Sequence, residues 1–236
     1  MNRLAIIPAR GGSKRIPNKN IRDFCGKPII EYILKTLQES ELFNVIHVST
    51  DSTDIKNFVS SIGFLPDFKR PDNLADDLTP ILPVLKYVCK EYFDRGQFFD
   101  QVWMFSPLSP FLEVEDLKSA EELFIESGSN TPLLGVSSYQ VPVEWAFTLS
   151  QNGKLTPMQP GMFAKRSQDL VEKYFDIGSF SIFPSKKILE SKGAGNDHEF
   201  VGKVFPNYKS IDIDTPDDWL YAEALYRGLF IYKNTE

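Results

Sequence analysis

The sequence predicts an α/β fold built on a parallel sheet covered on both faces. Short apolar runs alternate with amphipathic stretches long enough for helices, which is the pattern of repeated strand–helix units. The runs are nearly unbroken hydrophobics, as expected of strands buried from both sides. A basic, glycine-bearing loop follows the first run, at the carboxyl end of a strand, where such sheets bind ligands.

In chain order, residues 4–8 read as the first buried strand. Residues 29–38 carry Ile29, Ile30, Ile33, Leu34 and Leu37 as a helical stripe. Residues 45–49 form a second strand and 53–62 a second helix. Thr79 and Pro80 read as an N-cap followed by a proline at the first helical position, opening a helix that runs to residue 93. Residues 102–105 are a third strand. Residues 113–127 are a helix with Leu117, Ala120, Leu123 and Phe124 on its apolar side, and 133–136 are a further strand. The pattern fails over 139–176, which has prolines, glycines and aromatics but no period, and reads as an insertion packed on something else. Regularity resumes at 177–183. Residues 209–213 read as a last strand, and Thr215, Pro216 and Asp218 as N-cap, first helical residue and capping-box acid of the closing helix.

The 236 residues suffice for one large domain, or one domain with an insertion. The net charge of −6 argues against a nucleic-acid partner. Cys25 and Cys89 stand far apart and in no metal spacing, which fits small buried residues in a reducing, cytoplasmic setting. No secretory leader is expected, and no stretch approaches the roughly 18 apolar residues of a membrane span.

Against that acidic background, the stretch "AIIPARGGSKRIPNKN" and the residues just after it carry Arg10, Lys14, Arg15, Lys19 and Arg22 with no acid among them. The spacing is neither GxxxxGK[ST] nor GxGxxG. The means are shared: glycines let backbone N–H groups approach phosphate oxygens, and cations neutralise them. Five such cations repel one another unless an anion lies between them, and a triphosphate carries enough charge. The plainer alternative is a solvated loop making surface ion pairs. Asp212 and Asp214 stand two apart on an expected strand, hence on one face, and an oxygen-only pair suits Mg²⁺. Acids before a helix N-terminus would explain Asp214 without a metal, but not Asp212. His47 reads as a core histidine, His198 as part of a solvated loop, and Phe175, Phe180 and Phe183 as core. Nothing in pattern or spacing assigns Arg166 or Gln168.

The opening block with "GKPIIEY", then "VSTD" at 48–51, "RPDNLADDLT" at 70–79, "SPLSP" at 106–110 and "IDIDTPDDW" at 211–219, resembles the acylneuraminate cytidylyltransferases, which make CMP-activated nonulosonic acids. The blocks span nearly the whole chain. "RSQDLVEKYFDIGSF" at 166–180 is similar to the pseudaminic acid branch. The resemblance implies a Rossmann-like three-layer nucleotidyltransferase fold over residues 1–236, with the 139–176 insertion serving dimerisation and sugar binding in a homodimer. It implies CTP as co-substrate, held by Arg10, Gly11, Gly12, Ser13, Lys14, Arg15, Lys19, Asn20, Asp77 and Ser106, with Arg10, Lys14 and Lys19 catalytic. It implies Mg²⁺ on Asp212 and Asp214, and a sugar-acid pocket from Ser109, Arg166, Gln168, Tyr174 and Asp176. The expected products are a CMP-sugar and pyrophosphate. Two departures stand out: Ser106 replaces the glutamine usual in the sialic acid enzymes, and Pro80 and Pro83 fall where the family is rich in Ser, Thr and Gly. Legionaminate or N-acylneuraminate are alternative substrates. A Rossmann oxidoreductase would use Asp51 as its ribose acid but lacks the glycine pattern, and a non-catalytic sugar-nucleotide binder would have little need of both Asp212 and Asp214.

Overall fold

Leu4 and Ile6 of the first strand pack under one set of helices, Ala5 and Ile7 under another, and that alternation organises the molecule into three layers. The structure, a computed structural model, describes residues 1–193 and 199–233, with side chains up to residue 229 of the last helix. The strands are β1 (Arg3–Pro8), the short ribbon β2 (Asp23–Phe24) and β3 (Lys27–Pro28), β4 (Val45–Ser49), β5 (Gln101–Phe105), β6 (Leu133–Ser138), β7 (Phe147–Leu149), β8 (Leu155–Pro157), β9 (Tyr174–Pro184) and β10 (Val201–Val204). The helices are α1 (Ile29–Ser40), α2 (Thr53–Ser61), α3 (Ile81–Asp94), α4 (Val114–Glu126), α5 (Ser185–Glu190) and α6 (Pro216–Lys233).

The main sheet has the order β10-β6-β9-β5-β1-β4. Helices α1, α2 and α4 cover one face through Ile33, Leu37, Val59, Leu117 and Phe124. Helices α3 and α5 cover the other through Leu85, Val88, Cys89, Tyr92 and Ile188. Within the first of these cores Trp103, Phe105 and Phe180 stack across β5 and β9. A third cluster lies beyond the sheet edge and joins Ile16, Phe24, Ile29, Tyr32, Leu108, Ile213 and Trp219, fixing α6 to the loops around β1's carboxyl end. Cys89 is buried, and burial pushes its thiol up to about 12, so it serves as packing.

Three sequence expectations need correction. The sheet is mixed, because β9 runs antiparallel to both of its neighbours, β5 and β6. The chain leaves β6, makes the 139–173 excursion without a crossover helix, and comes straight back, which only an antiparallel return allows. The helix α3 begins at Ile81 with Pro80 in the cap position and no side-chain cap. The Asp76 carboxylate takes the amides of Leu78 (2.8 Å) and Thr79 (2.6 Å) instead, so the turn is satisfied before the helix starts. Pro83 sits in the first turn, where its missing N–H leaves nothing unpaired. Residues 209–213 are not a strand: Asn207–Lys209 is a 3-10 turn and an extended, unladdered stretch follows. Its groups are used sideways, Ile213 in the third cluster and the Ile213 carbonyl as acceptor of Lys19 Nζ at 2.6 Å. The capping box on α6 is as expected, with the Asp218 carboxylate accepting from Thr215 N at 2.7 Å and the Thr215 hydroxyl accepting from Asp218 N at 3.2 Å.

His47 is a core residue, 1% exposed and stacked on Phe68. Tyr92 donates its hydroxyl hydrogen to Asp67, so the 3.1 Å contact between that hydroxyl and His47 Nδ1 leaves the imidazole as donor and Nε2 as a buried, unpartnered acceptor. Burial, with smaller contributions from Arg70 and Arg95, outweighs Asp67 and pushes the imidazole down to about 4. Between there and the ordinary 6.5 of the unfolded chain, only the unfolded state takes the proton. Stability therefore falls as pH drops through that window, by up to about 3 kcal/mol in all. Replacing His47 with Gln is expected to flatten the acid limb of a urea-denaturation series from pH 7 to 4; an unchanged slope would show that other groups carry it.

Candidate functional site

The loop after β1 leaves the sheet at its carboxyl edge, and each of its turns is fixed by a residue that the sequence supplies. The Gly11 amide donates to Asp51 Oδ1 at 3.0 Å. A Cβ on Gly11 would stand 2.9 Å from Ser52 Cβ, so the loop can pass there only as glycine. Gly12, one residue on, faces open space. Ile16 drops into the third apolar cluster and anchors the middle of the loop. Asn18 takes a left-handed turn (φ 52°) into the 3-10 turn Lys19–Ile21. Buried Asn20 then donates through Nδ2 to the Arg10 carbonyl at 2.9 Å, tying the loop's end to its beginning.

These residues enclose a cavity of about 220 Å³. Its walls are Pro8, Arg10, Ser13, Lys14, Arg15, Ile16, Lys19 and Asn20 from the loop, Pro107 and Leu108 from the turn after β5, and Asp214 from the C-terminal stretch. The anion that the sequence lacks locally comes from two distant carboxylates. Asp77 pairs with Arg10 and Lys14. Asp214 pairs with Arg15 at 2.9 Å and Lys19 at 2.9 Å. The fifth cation, Arg22, lies over the Trp219 ring at 5.1 Å. The cation crowding is thus relieved within the protein, and the surface ion-pair alternative describes part of the loop.

The electrostatics divide the acids. Hydrogen bonds from Lys14 and Arg10 hold Asp77 below the usual carboxylate range. Lys19 first, and Arg15, do the same for Asp214 against some burial. Asp212 goes the other way: the protein around its carboxyl and then the charge of Asp214 raise it, although the residue has an exposed side. Two oxygen donors in mutual repulsion fit a hard divalent cation that completes its shell from water and phosphate, and Mg²⁺ behaves so with one or two carboxylates. Among the described residues no group of three or more His, Cys, Asp and Glu could hold a metal by itself.

Ser106 and Ser109 frame the turn whose Pro107 and Leu108 line the cavity. Ser106 Oγ accepts from Leu108 N at 3.2 Å, and buried Ser109 donates to the Ser179 carbonyl at 3.3 Å. The Ser106 amide reaches that same carbonyl at 2.8 Å, so the 176–179 stretch lies against this turn. There Asp176 accepts from Gly178 N at 2.8 Å and shapes the irregularity in the β6–β9 register. Tyr174 donates to Glu172 at 2.7 Å. Arg166 makes a two-pronged contact with Asp169 at 2.8 and 2.9 Å, and Gln168 lies exposed in the turn Ser167–Asp169. Arg166, Gln168, Tyr174 and Asp176 all stand outside the cavity lining. His198 lies outside the described residues.

Two supporting residues escaped the sequence reading. Arg70, 4% exposed, donates to Ser49 Oγ (3.1 Å) and the Ser49 carbonyl (2.6 Å), with burial pushing it down to about 10; it pins the segment leading to Asp77 onto the end of β4. Lys209, 6% exposed, is the other. Nothing but burial distinguishes them from surface cations, and burial of a single charged residue is not written in local sequence.

A family model described as Cytidylyltransferase matches residues 4–143. Over 227 residues the chain is 35% identical to a pseudaminic acid cytidylyltransferase of Campylobacter jejuni, covering 96% of this chain and 97% of that one. It is 32% identical over 232 residues to a CMP-N,N'-diacetyllegionaminic acid synthase of Legionella pneumophila, covering 95% and 96%. Among solved structures it is similar to a CMP:2-keto-3-deoxy-manno-octonic acid synthetase complexed with CTP, with a TM-score of 0.70 at 14% identity over 97% of this chain and 99% of that one, a likeness of fold.

The two loop glycines give a contrast that reads the geometry directly. Gly11→Ala is expected to cost roughly 1–3 kcal/mol, since loop or α2 must shift. Gly12→Ala should stay within about 0.5 kcal/mol. Denaturant titration of both variants decides; equal effects would mean that the Ser52 contact does not constrain the loop.

Proposed function

Because the chain belongs to the cytidylyltransferase family, we propose that it transfers the cytidylyl group of CTP to a nonulosonic acid, pseudaminic acid foremost, releasing pyrophosphate. The observation that carries this reading is the convergence of Arg10, Lys14, Arg15 and Lys19 on one cavity at the sheet's carboxyl edge, in a chain 35% identical to a pseudaminic acid cytidylyltransferase over nearly its full length.

In this reading the triphosphate takes over the cations that Asp77 and Asp214 now occupy. The amides of the Gly11–Ser13 turn and Asn20 shape the cradle, with Asp77 and Ser106 at its margins. The sugar's anomeric oxygen attacks the α-phosphorus in line, the bond from that phosphorus to the bridging oxygen breaks, and pyrophosphate leaves with the electron pair while the hydroxyl proton passes to solvent. Arg10, Lys14 and Lys19 stabilise charge as it builds on the phosphate oxygens, so the catalytic contribution is positioning and electrostatics. Asp212 and Asp214 would hold Mg²⁺. When bound, that ion supplies further neutralisation of the phosphates. Ser109, Arg166, Gln168, Tyr174 and Asp176 serve the sugar acid: Arg166 suits its carboxylate, and Asp176 an amide N–H. A serine at position 106 reaches less far than a glutamine amide, which favours a substrate with more bulk or fewer hydroxyls than N-acetylneuraminic acid.

The test is pyrophosphate release with CTP and, in parallel, pseudaminic, legionaminic, N-acetylneuraminic and Kdo-type acids. The highest kcat/KM is expected with pseudaminic acid, and Asp214→Asn, which keeps the side chain's size but removes its charge, should be slower by orders of magnitude. Equal or higher kcat/KM with N-acetylneuraminic acid would return the chain to the sialic acid branch, and no release with any acid would overturn the enzyme reading.

The insertion supports a homodimer. Its β7–β8 hairpin exposes Leu149 (70%) and Leu155 (56%), Phe163 (64%) packs on Phe147 of that hairpin, and Met158 is also 64% exposed. A two-fold pairing of copies would bury that surface. Sedimentation velocity is expected to give a dimer at micromolar concentration; a monomer would rule the assembly out.

A further inference from the structure

The stretch 210–215 carries both acidic oxygen donors of the site, yet no strand ladder holds it. Its fixings are few. Ahead of it, Asp218 accepts from Asp214 N at 3.1 Å and Thr215 N at 2.7 Å. In its middle, Ile213 is buried and its carbonyl accepts from Lys19. Behind it, Lys209 is buried, its Nζ 2.7 Å from Glu113 Oε2 and 2.6 Å from Asp116 Oδ2.

Those two acids are not incidental. They form the capping box of α4, with Asp116 also accepting from Glu113 N at 2.9 Å. Helix α4 begins directly after the turn that contributes Pro107 and Leu108 to the cavity. One buried ammonium therefore fastens the Asp212–Asp214 stretch to the helix that follows the turn contributing Pro107 and Leu108 to the cavity. Burial works against its charge, but Asp116 and Glu113 outweigh it and raise the ammonium above its ordinary value. Of the fixings, the contacts of Lys19 with Ile213 and Asp214 and of Arg15 with Asp214 are the ones that a triphosphate would compete for. With Lys19 and Arg15 drawn to phosphate, buried Ile213, Lys209 and the α6 cap are left to hold the two carboxylates in place.

We propose that Lys209 is a positioning residue for the Asp212–Asp214 pair, acting through the Glu113–Asp116 capping box rather than touching substrate. The anchoring stands on this geometry alone; its consequence for catalysis rests on the cytidylyltransferase reading.

The experiment compares the full-length protein with Lys209→Met, Lys209→Arg and the triple variant Lys209→Met/Glu113→Gln/Asp116→Asn, which leaves no stranded carboxylates should the single variant fail to fold. Two readouts are taken. The first is amide hydrogen exchange, without substrate or metal. In Lys209→Met or the triple variant, amides of 211–215 are expected to exchange about tenfold faster while those of β1 and α3 keep their protection; Lys209→Arg should recover most of it. The second is steady-state kinetics, where kcat should fall about tenfold with KM for CTP changed less than about threefold, as the nucleotide's cations lie elsewhere. Unchanged exchange at 211–215 in a folded variant, or a rise spread evenly over β1 and α3, would overturn the anchor. Faster local exchange with unchanged kcat would overturn its catalytic role. Should the unmodified protein release no pyrophosphate, the functional reading fails, and the exchange data still judge the anchor.

Discussion

The site depends on one electrostatic constraint: a loop with four cations around a small cavity cannot close on itself, because it carries no acid. The countercharge arrives from Asp77 and from Asp214, which is on the far side of the sequence. Those pairs link the loop to the segment before α3 and to the stretch before α6. These pairs are part-exposed, and contacts of that kind are worth about 0–1 kcal/mol each. They cannot be what builds the site. Ile16, Leu108 and Ile213 in a shared apolar cluster, and Asn20 on the Arg10 carbonyl, do that. The division is useful to a binding site: rigid apolar contacts set where the cations stand, while weak ion pairs let an incoming polyanion replace the carboxylates at small cost.

Topology places the rest. Among the described residues β9 is the one strand of the main sheet that runs antiparallel, to β6 and β5 alike, and its return against β6 roots the 139–173 excursion at the carboxyl edge. The Ser179 carbonyl then receives both Ser106 N and the Ser109 hydroxyl. The sequence block expected to read the sugar and the turn bordering the cavity are thus joined by one backbone and one side-chain hydrogen bond. A parallel β9 would have needed a crossover and would have moved the excursion away from this edge.

What could be read from sequence follows from the range of the forces involved. The buried strands, the α1 stripe and the α6 capping box are decided by neighbours within a few residues, and they stand where periodicity puts them. The basic loop was legible because its charge and glycines are contiguous. The antiparallel β9 was not, since a buried strand has the same apolar run in either direction. The partners of Arg10 and Lys19 were not legible either; they depend on contacts 67 and 195 residues apart. Arg70 and Lys209 look like solvated cations until burial is known. The 209–213 stretch alternates like a strand, but its apolar side is claimed by a cluster outside the sheet, and a pattern of period two cannot say which surface buries it.

The missing ladder at 209–213 bears on how the acids act. In a laddered strand the carbonyl of Ile213 would belong to a neighbouring strand. Left free of a ladder, it takes Lys19 together with the Asp214 carboxylate, so one ammonium senses both backbone and side chain of the acidic stretch. Asp214 is thereby held ionised by its cations while Asp212, raised by its surroundings and by Asp214, carries the repulsion. In the proposed reading, an arrangement with one satisfied and one frustrated carboxylate would favour a ligand that brings phosphate to Lys19 and a cation to the acids together, since either alone would leave a charge unbalanced. The coupling arises because the chain is irregular at this point, and a regular strand would have removed it.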